Sequence, residues 1–511
     1  MRIQTLSLSL VLASLPCVAA ATCESLAAAK LPNATITSAS VVAPGAFEVP
    51  VAPDAKGGKG GKGKGPNPYA NLPSFCRVTA TLAPSKDSDI KVEVWLPSTG
   101  WNGKYEAVGN GGWAGTISYT AMATALERGY ATSSTDTGHV GGRGTFALDH
   151  PEKLIDYAYR SEHEMVLKSK ALIQNFYGSP ARFSYWVGCS TGGKQGLTEA
   201  QRYPNDFDGI IAGAPANYMI HLHAWSLWVY QAMNKTPDSF LETAQLQTLH
   251  QAAIKACDAL DGVSDGVIEN PRKCKFDPAT IQCAAGVTTG CLNPSQVAAA
   301  KMIYSAATNP RNKAEVFPPL EPGSELQWGT LGGKRPADVA ADTFRFVVFK
   351  NPDWDALTLN FDADVTKADK LDDGLNNAIN PDLSKFFDHK GRLLMYHGWN
   401  DQLIAPGNSI NYYNSVAGKL GGVSKIDQNM RLFMTPGMQH CNGGEGPNTF
   451  DALTLMEQWV EQSKAPEKMI ASHSTAGQVD RTRPLCAYPQ TAVYNGSGST
   501  NEAANFSCKL Q

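Results

Sequence analysis

The sequence lacks both a strong charge imbalance and an apolar run long enough to cross a membrane. Its formal net charge is only −3 over 511 residues, so no electrostatic feature indicates a nucleic acid partner. The one marked apolar run, at positions 3–18, is shorter than a spanning helix requires. We therefore expect neither a nucleic acid nor a membrane as partner. A neutral substrate or a surface-bound polymer is easier to accommodate.

The N-terminal residues 1–21 have the pattern of a signal peptide. A basic start at Arg2 precedes the apolar run, and three small residues, Ala19, Ala20 and Ala21, follow it at the expected cleavage site. The alternative, a membrane anchor, conflicts with the length of the run. We expect the mature chain to be secreted.

Cysteine usage agrees with export. Cys17 lies in the predicted signal peptide, so ten of the eleven cysteines remain in the mature chain. An even number in an exported chain indicates disulfides rather than thiol chemistry or metal binding, but many pairings are open. N-glycosylation sequons occur at Asn33, Asn234, Asn495 and Asn505. They would carry glycans only in a eukaryotic host.

Buried-strand and helix patterns alternate in two separated parts of the chain, which predicts an α/β fold whose parallel sheet is covered on both faces. Apolar or alternating strand runs occur at 92–96, 105–108, 183–187, 209–213, 392–396 and 430–434. Between the two parts, the sequence is helix-rich and lacks buried-strand patterns. We expect a catalytic domain at 22–215 and 387–511, with a cap inserted at 216–386.

The segment between Cys23 and Cys76 is polar and irregular. It contains a Lys/Gly tract at 56–65 that offers no residue able to build a core. We expect a solvated loop there and assign the tract no role.

Gly-Cys-Ser-Thr-Gly at 188–192 matches the G-x-S-x-G nucleophile elbow. A strand run precedes it and a helical pattern follows, as this strained turn requires. Ser190 would then be exposed as the nucleophile, and the amide of Thr191 would point at a developing oxyanion. The alternative is a tight strand–helix turn with an unreactive serine.

A serine nucleophile needs a base and an orienting acid, which in this fold follow it in the order acid, then His. Asp401 and His440 each follow a predicted strand of the second part. His397 is the main rival for the base, but it precedes Asp401, and we interpret it as a loop-packing residue.

Cys189 could itself be the nucleophile, but only the central residue of the elbow points into the site. Cys441 directly follows His440. If Ser190 and His440 are in contact, the two cysteines would be close enough to bond and would pin the two turns together.

These motifs together resemble the tannase and feruloyl esterase family over nearly the whole mature chain. The resemblance rests on the elbow and on the segments at 109–112, 206–214, 396–401 and 436–441. It implies an α/β-hydrolase fold, a triad of Ser190, Asp401 and His440, and oxyanion-hole amides from Gly112 and Thr191. It also implies five disulfides: Cys23–Cys76, Cys189–Cys441, Cys257–Cys274, Cys283–Cys291 and Cys486–Cys508.

A loop at 257–267 places Asp258, Asp261 and Asp265 close together between glycines. Hard oxygen ligands at this density suit Ca²⁺, although a plain acidic surface loop is equally compatible with the residues alone. The resemblance implies a structural calcium site here, with the carbonyls of Val263 and Val267 as further ligands.

The resulting hypothesis is a secreted serine carboxylic ester hydrolase acting on aromatic-acid esters. The resemblance implies feruloyl esters of plant cell-wall polysaccharide first, and gallate esters, as in a tannase, second. A catalytically inactive, calcium-dependent binding protein is the alternative from another class. Four cap tryptophans could line an aromatic slot or belong to the core: Trp225, Trp228, Trp328 and Trp354.

Overall fold

The computed structural model describes residues 21–50 and 67–510. The predicted signal peptide, apart from its last residue, lies outside the described residues, and so does the Lys/Gly tract at 56–65. In the described ranges, no helix is both long enough and apolar enough to cross a membrane.

Nine of the strands in the described part of the chain form one central sheet. In chain order the strands are β1 (Ala34–Val42), β2 (Phe75–Leu82), β3 (Ile90–Pro97), β4 (Lys104–Val108), β5 (Ala131–Thr135), β6 (Phe183–Cys189), β7 (Gly209–Gly213), β8 (Ala307–Thr308), β9 (Glu315–Phe317), β10 (Arg392–Gly398), β11 (Met430–Thr435), β12 (Lys468–Thr475), β13 (Gln478–Cys486), β14 (Thr491–Tyr494) and β15 (Phe506–Lys509).

The central sheet is mixed, with the order β1-β2-β3-β5-β4-β6-β7-β10-β11. From β5 to β11 every neighbouring pair is parallel, whereas β1, β2 and β3 join the sheet antiparallel. This is the sheet of an α/β-hydrolase fold. The expectation of a parallel sheet is therefore wrong at this one edge.

The edge strand β1 also corrects the expectation of an irregular segment after Cys23. It pairs with β2 from Ala34, opposite Leu82, to Val42, opposite Phe75. No side chain of β1 is fully buried. An edge strand that buries so little can be built from small and polar residues, which is why its sequence does not resemble a core strand.

Helices surround the sheet and fill the segment between β7 and β10. In chain order they are α1 (Tyr119–Glu127), α2 (Pro151–Ile155), α3 (Ser161–Tyr177), α4 (Thr191–Arg202), α5 (Met219–Asn234), α6 (Thr243–Cys257), α7 (Pro294–Ile303), α8 (Gly329–Gly332), α9 (Asp338–Asp342), α10 (Ala363–Asp372), α11 (Ser384–Asp388), α12 (Gly407–Lys419), α13 (Val423–Ile426) and α14 (Ala452–Gln462).

The two faces of the sheet carry separate cores, because successive strand residues point to opposite sides. Trp186 and Ile210 belong to a cluster that includes residues of α3, α4 and α12. Their chain neighbours Tyr185 and Ile211 belong to another cluster, with Met456 of α14. Both faces are therefore covered, as the near-continuous apolar runs of the strands predict.

The segment between β7 and β10 has a core of its own. The long helix α5 lies at its centre and packs against α7, α8, α9 and α10. Strand content is limited to the short pair β8 and β9, which agrees with the helix-rich composition. The same core includes Trp113 and Tyr157 from outside the segment. The inserted helices therefore pack directly on the loops at the end of the sheet, while the boundary at 216–386 stays a prediction.

Candidate active site

The elbow forms a sharp turn between β6 and α4. Ser190 has φ 63° and ψ −125°, a conformation that strains a non-glycine residue. A Cβ on Gly188 would lie 2.4 Å from the carbonyl oxygen of Gly192, so the turn closes only with a glycine there. The sequence Gly-x-Ser-x-Gly thus produces a nucleophile-elbow geometry at the position predicted from the strand and helix patterns.

The backbone of Ser190 is held on both sides. Its N–H donates to the carbonyl of Gly213 at 3.0 Å, and its carbonyl accepts from the N–H groups of Lys194 and Ala216 at 3.1 and 3.0 Å. No hydrogen bond of its hydroxyl is found among the described residues. Such bonds often tighten only when substrate binds.

Asp401 and His440 meet at the ends of β10 and β11. Asp401 Oδ2 lies 2.8 Å from His440 Nδ1, and the amides of Leu403 and Ile404 donate to Asp401 Oδ1 at 2.8 and 2.9 Å. Burial alone would raise the pKa of Asp401, but the neighbouring imidazoles outweigh it and hold that pKa below its usual value. Asp401 is thus an ionised carboxylate able to orient and charge-stabilise the imidazole.

The pKa of His440 moves in the opposite direction. Burial would lower it, but the charge and hydrogen bond of Asp401 raise it above the ordinary value. With Nδ1 engaged by Asp401, Nε2 is the ring nitrogen left to accept a proton from a hydroxyl.

His397 has a larger role than loop packing. It lies inside β10 and is fully buried. Its Nε2 is 3.0 Å from Asp401 Oδ2, and its Nδ1 is 2.7 Å from the Ser409 hydroxyl. The interpretation of His397 as a loop-packing residue is therefore incomplete: its Nε2 lies 3.0 Å from the carbonyl of Ile404 in the following loop, and the same ring also contacts the acid. The spacing His-x-x-x-Asp across a strand end is the only hint in the sequence.

Gly112 and Thr191 lie side by side, as an oxyanion hole requires. The Thr191 hydroxyl donates to the Gly112 carbonyl at 3.1 Å. Neither backbone N–H has an acceptor among the described residues, and that of Thr191 is free because it opens α4. The Thr191 amide at the N-terminus of α4 and the unpaired Gly112 amide beside it can together stabilise a negative oxygen.

The glycine-rich loop at 109–112 is tied to α4. Gly192 N–H donates to the carbonyl of Asn110 at 2.8 Å. Gln195 Oε1 accepts from the Asn110 N–H at 3.0 Å, and Gln195 Nε2 donates to Asn110 Oδ1 at 3.1 Å. The loop and the nucleophile turn thus form one unit, a role for Gln195 that no sequence motif indicates.

All five cysteine pairs implied by the resemblance are disulfides in the structure: Cys23–Cys76, Cys189–Cys441, Cys257–Cys274, Cys283–Cys291 and Cys486–Cys508. The Cys189–Cys441 bridge has its Cα atoms 6.0 Å apart and joins residues separated by 252 positions. It connects the residue before Ser190 to the residue after His440, and so holds the elbow beside the base.

The acidic loop after α6 folds around its own carboxylates. Asp258 accepts from Gly266 N–H at 3.1 Å, and Asp261 accepts from Val263 N–H at 2.9 Å. Burial, with the charges of Asp265 and Asp258, raises the pKa of Asp261. Carboxylate and carbonyl oxygens are the donor type that a hard cation takes, but among the described residues these three carboxylates do not form a close group of ligand atoms.

The C-terminal tail covers this loop. The guanidinium of Arg483 contacts Asp265 Oδ2, and Arg481 donates to the Asp265 carbonyl at 3.0 Å. Val263 packs with Ala492 and Phe506 of the tail. One carboxylate of the set thus already has a positive partner, while Asp258 and Asp261 have no cationic side chain in contact among the described residues.

One group of acidic and histidine side chains in the described part of the chain has its ligand atoms close enough together to hold a metal ion, and it lies outside the acidic loop. Ligand atoms of His163, Glu199 and Asp206 all lie within 4.8 Å of one another. His163 Nδ1 is 2.6 Å from Asp206 Oδ2, and Glu199 is buried without a donor to either oxygen. Burial and then the Asp206 charge raise the pKa of Glu199. The three residues of this group come from separate segments of the chain, which is why no sequence pattern indicates it.

The cap tryptophans mostly belong to the core. Trp225 and Trp328 are fully buried, and Trp228 packs against Phe361. Trp354 packs against Phe344 in the same cluster. None of these contacts involves the residues around Ser190, so the observed packing favours the core interpretation over an aromatic slot.

Comparison with known proteins places these features in a family context. The sequence profile described as "Tannase and feruloyl esterase" matches residues 76–509. An uncharacterized esterase of Xanthomonas campestris pv. campestris is 36% identical, covering 96% of this chain and 91% of the relative. A probable feruloyl esterase B-2 of Neosartorya fischeri is 36% identical over 85% of this chain and 86% of its own length.

The comparison with solved structures agrees with the sequence comparison. The crystal structure of feruloyl esterase B from Aspergillus oryzae superposes with a TM-score of 0.87 at 33% identity, covering 95% of this chain and 99% of the other. The likeness therefore includes both the sheet and the segment inserted between β7 and β10.

Proposed function

This chain belongs to the tannase and feruloyl esterase family and is a carboxylic ester hydrolase, and from that premise we propose that Ser190, Asp401 and His440 form its catalytic triad. The observation that carries the proposal is the Asp401–His440 hydrogen bond of 2.8 Å beside the Cys189–Cys441 bridge, which brings the base to the elbow.

In the proposed reaction, His440 Nε2 takes the hydroxyl proton while Ser190 Oγ attacks the ester carbonyl carbon. The amides of Gly112 and Thr191 hold the resulting oxyanion. The intermediate collapses when the ester C–O bond breaks and the departing alcohol takes the proton from His440. Water, deprotonated by His440, then attacks the acyl-serine, and the acid leaves as Ser190 regains its proton. Asp401 stays ionised and stabilises the imidazolium in both halves.

The proposed substrates are esters of aromatic acids, with feruloyl esters of plant cell-wall polysaccharide first. The relatives named as feruloyl esterases B support this order. The family also includes tannases, so gallate esters are the second candidate. The inactive, calcium-dependent binding protein has no support, because all three triad residues are present and two of them are hydrogen-bonded.

The acidic loop is proposed to bind Ca²⁺ through Asp258, Asp261 and Asp265 with the carbonyls of Val263 and Val267. When bound, the ion would neutralise carboxylates that repel one another. The chain's own contribution is to present these oxygens from one short loop and to anchor that loop beneath the tail. This role is structural, because the loop follows α6 in the inserted segment and supplies no group to the triad.

Secretion is proposed from the N-terminal pattern and is supported by the five disulfides. In a eukaryotic host we expect glycans at Asn33 and Asn495, which are exposed. Asn234 is a poorer site, because its Nδ2 donates to three carbonyls and a glycan there would remove those bonds.

The decisive substrate experiment compares methyl ferulate, methyl caffeate and methyl gallate with the wild type, Ser190→Ala and Ser184→Ala. Ser184 lies buried on the same strand as the elbow and serves as the matched control. We expect Ser190→Ala to lose hydrolysis of every ester and Ser184→Ala to keep it. Hydrolysis that survives Ser190→Ala would refute the triad, and a preference for gallate would replace the feruloyl assignment.

A further inference from the structure

Tyr157 is a buried side chain next to the candidate oxyanion hole and takes no part in the proton transfers. Its hydroxyl donates to the carbonyl of Gly112 at 2.8 Å. Tyr157 lies in a turn of π-helix, Asp156–Arg160, that interrupts the helical run between α2 and α3. Such turns are frequent at functional sites, which draws attention to what this one positions.

The peptide groups on both sides of Gly112 are fixed by hydrogen bonds. The carbonyl of Gly111 accepts from the Ala114 N–H at 2.9 Å. The carbonyl of Gly112 accepts from Tyr157 at 2.8 Å and from the Thr191 hydroxyl at 3.1 Å. Gly112 has φ +56°, and a Cβ there would contact only Val339 at 3.8 Å. The glycine is therefore needed for its backbone conformation, and the direction of its N–H depends on the bonds that hold the two carbonyls.

Tyr157 is itself held from the nucleophile helix. Lys194 Nζ, fully buried on α4, donates to the Ala158 carbonyl at 2.6 Å and lies 5.5 Å from the centre of the Tyr157 ring. The ring packs against Trp113 with centroids 4.6 Å apart. These contacts fix the hydroxyl relative to α4, whose first amide is the other oxyanion donor.

We propose that Tyr157 is a positioning residue of the oxyanion hole: by holding the Gly112 carbonyl it fixes the backbone at Gly112, so that the N–H of Gly112, in the preceding peptide group, faces the developing oxyanion. The inference rests on the proposed acyl-transfer function. Because the oxyanion exists only in and near the transition state, the bond from Tyr157 contributes to kcat and not to substrate binding. Burial raises the pKa of Tyr157, so its hydroxyl stays protonated and able to donate.

The test is Tyr157→Phe, which removes one oxygen and keeps the ring. Loss of a complete oxyanion donor costs about 10²–10³ in kcat, and since Thr191 still holds the carbonyl we expect a fall of about ten-fold or more. KM should stay within about two-fold, because ground-state binding is unaffected. Affinity for an arylboronic acid, which adds to the serine as a tetrahedral analogue, should fall in proportion to kcat, whereas ferulate binding should not change.

The matched control is Tyr177→Phe. Tyr177 ends α3, and its hydroxyl also donates to a backbone carbonyl, that of Pro97 at 2.9 Å. It lies 20 positions further along nearly the same helical run, about 30 Å away at 1.5 Å per residue. This variant should keep both kcat and boronate affinity.

Thr191→Val provides a second variant, because it removes the other hydroxyl from the same carbonyl. It should lower kcat as well. Because both hydroxyls hold the same carbonyl, the fold-loss of kcat in the double variant should differ from the product of the two single fold-losses. Unchanged kcat and boronate affinity in a folded Tyr157→Phe enzyme would overturn the inference. So would a Tyr157→Phe enzyme that loses thermal stability alone. The proposed function fails by a separate result, which is activity in Ser190→Ala.

Discussion

Removal of the Cys189–Cys441 bridge should damage catalysis more than any other disulfide substitution. The bridge flanks both Ser190 and His440, and the two residues come from parts of the chain joined by the whole inserted segment. Replacing both cysteines with alanine keeps the small side chains that the elbow needs while it frees the two turns to separate. A misplacement of about 1 Å between reacting groups can cost about 100-fold in rate.

The size of the stability effect follows from the loop lengths. For a separation of 252 residues, the chain-entropy model gives a loss of about 5.5 kcal/mol in the free energy of unfolding when the bridge is removed, because the unfolded chain gains entropy. The Cys283–Cys291 bridge, with a separation of 8, gives about 2.5 kcal/mol and lies in the inserted segment. The two double-alanine variants therefore differ in expected stability and, more sharply, in expected activity.

The assay combines denaturant unfolding with kcat/KM on methyl ferulate, at a temperature where circular dichroism shows each variant to be folded. We expect a fall of at least about ten-fold in kcat/KM for Cys189→Ala/Cys441→Ala and little change for the Cys283/Cys291 pair. If the first variant does not fold, mild reduction of the native enzyme, with opened bridges identified by alkylation and mass spectrometry, replaces it. Full kcat/KM with the Cys189–Cys441 bridge open would refute the alignment argument.

Three further predictions concern the acid, the base and the cation loop. His397→Asn removes a hydrogen bond to the Asp401 carboxylate, and such a bond to a charged acceptor is worth about 1.5–3 kcal/mol. We expect kcat to fall at least about ten-fold with KM unchanged. A wild-type kcat would contradict the supporting role. Activity needs neutral His440, whose pKa lies above the ordinary value of 6.5. In a pH–rate profile, kcat/KM should therefore be lost as the pH falls through a value above 6.5. A loss of kcat/KM centred below pH 6.5 would contradict this prediction. A calcium chelator should lower the thermal unfolding midpoint of the wild type but not that of Asp261→Asn. Asp353→Asn, at an exposed position outside the loop, is the control and should respond like the wild type. An equal response in all three proteins would exclude the loop as the calcium site.

Sequence reasoning succeeded where local chemistry decides the structure. The apolar runs of β6, β7, β10 and β11 need burial on both faces, which predicts central parallel strands. The elbow is recognisable because only small residues permit the turn at Ser190. Asp401 and His440 follow from strand ends, since parallel strands deliver their following loops to one edge of the sheet.

The remaining features depend on tertiary contacts that no local pattern encodes. β1 is a strand because β2 offers it an edge, in spite of its polar composition. Tyr157 and Gln195 act on the glycine-rich loop from other helices, and the spacing along the chain gives no sign of either contact. His397 contacts Asp401 only because β10 continues through Gly398. Such partners become visible only when the elements are assembled.

The most direct test of the central claim is covalent labelling of the nucleophile. The enzyme is treated with a fluorophosphonate, residual activity on methyl ferulate is followed, and the modified peptide is sequenced by mass spectrometry. We expect one adduct per chain, on Ser190, with activity lost in proportion to labelling and no adduct in Ser190→Ala. An adduct on another residue that accompanies inactivation, or a fully active enzyme that carries the label on Ser190, would contradict the assignment of Ser190 as the nucleophile.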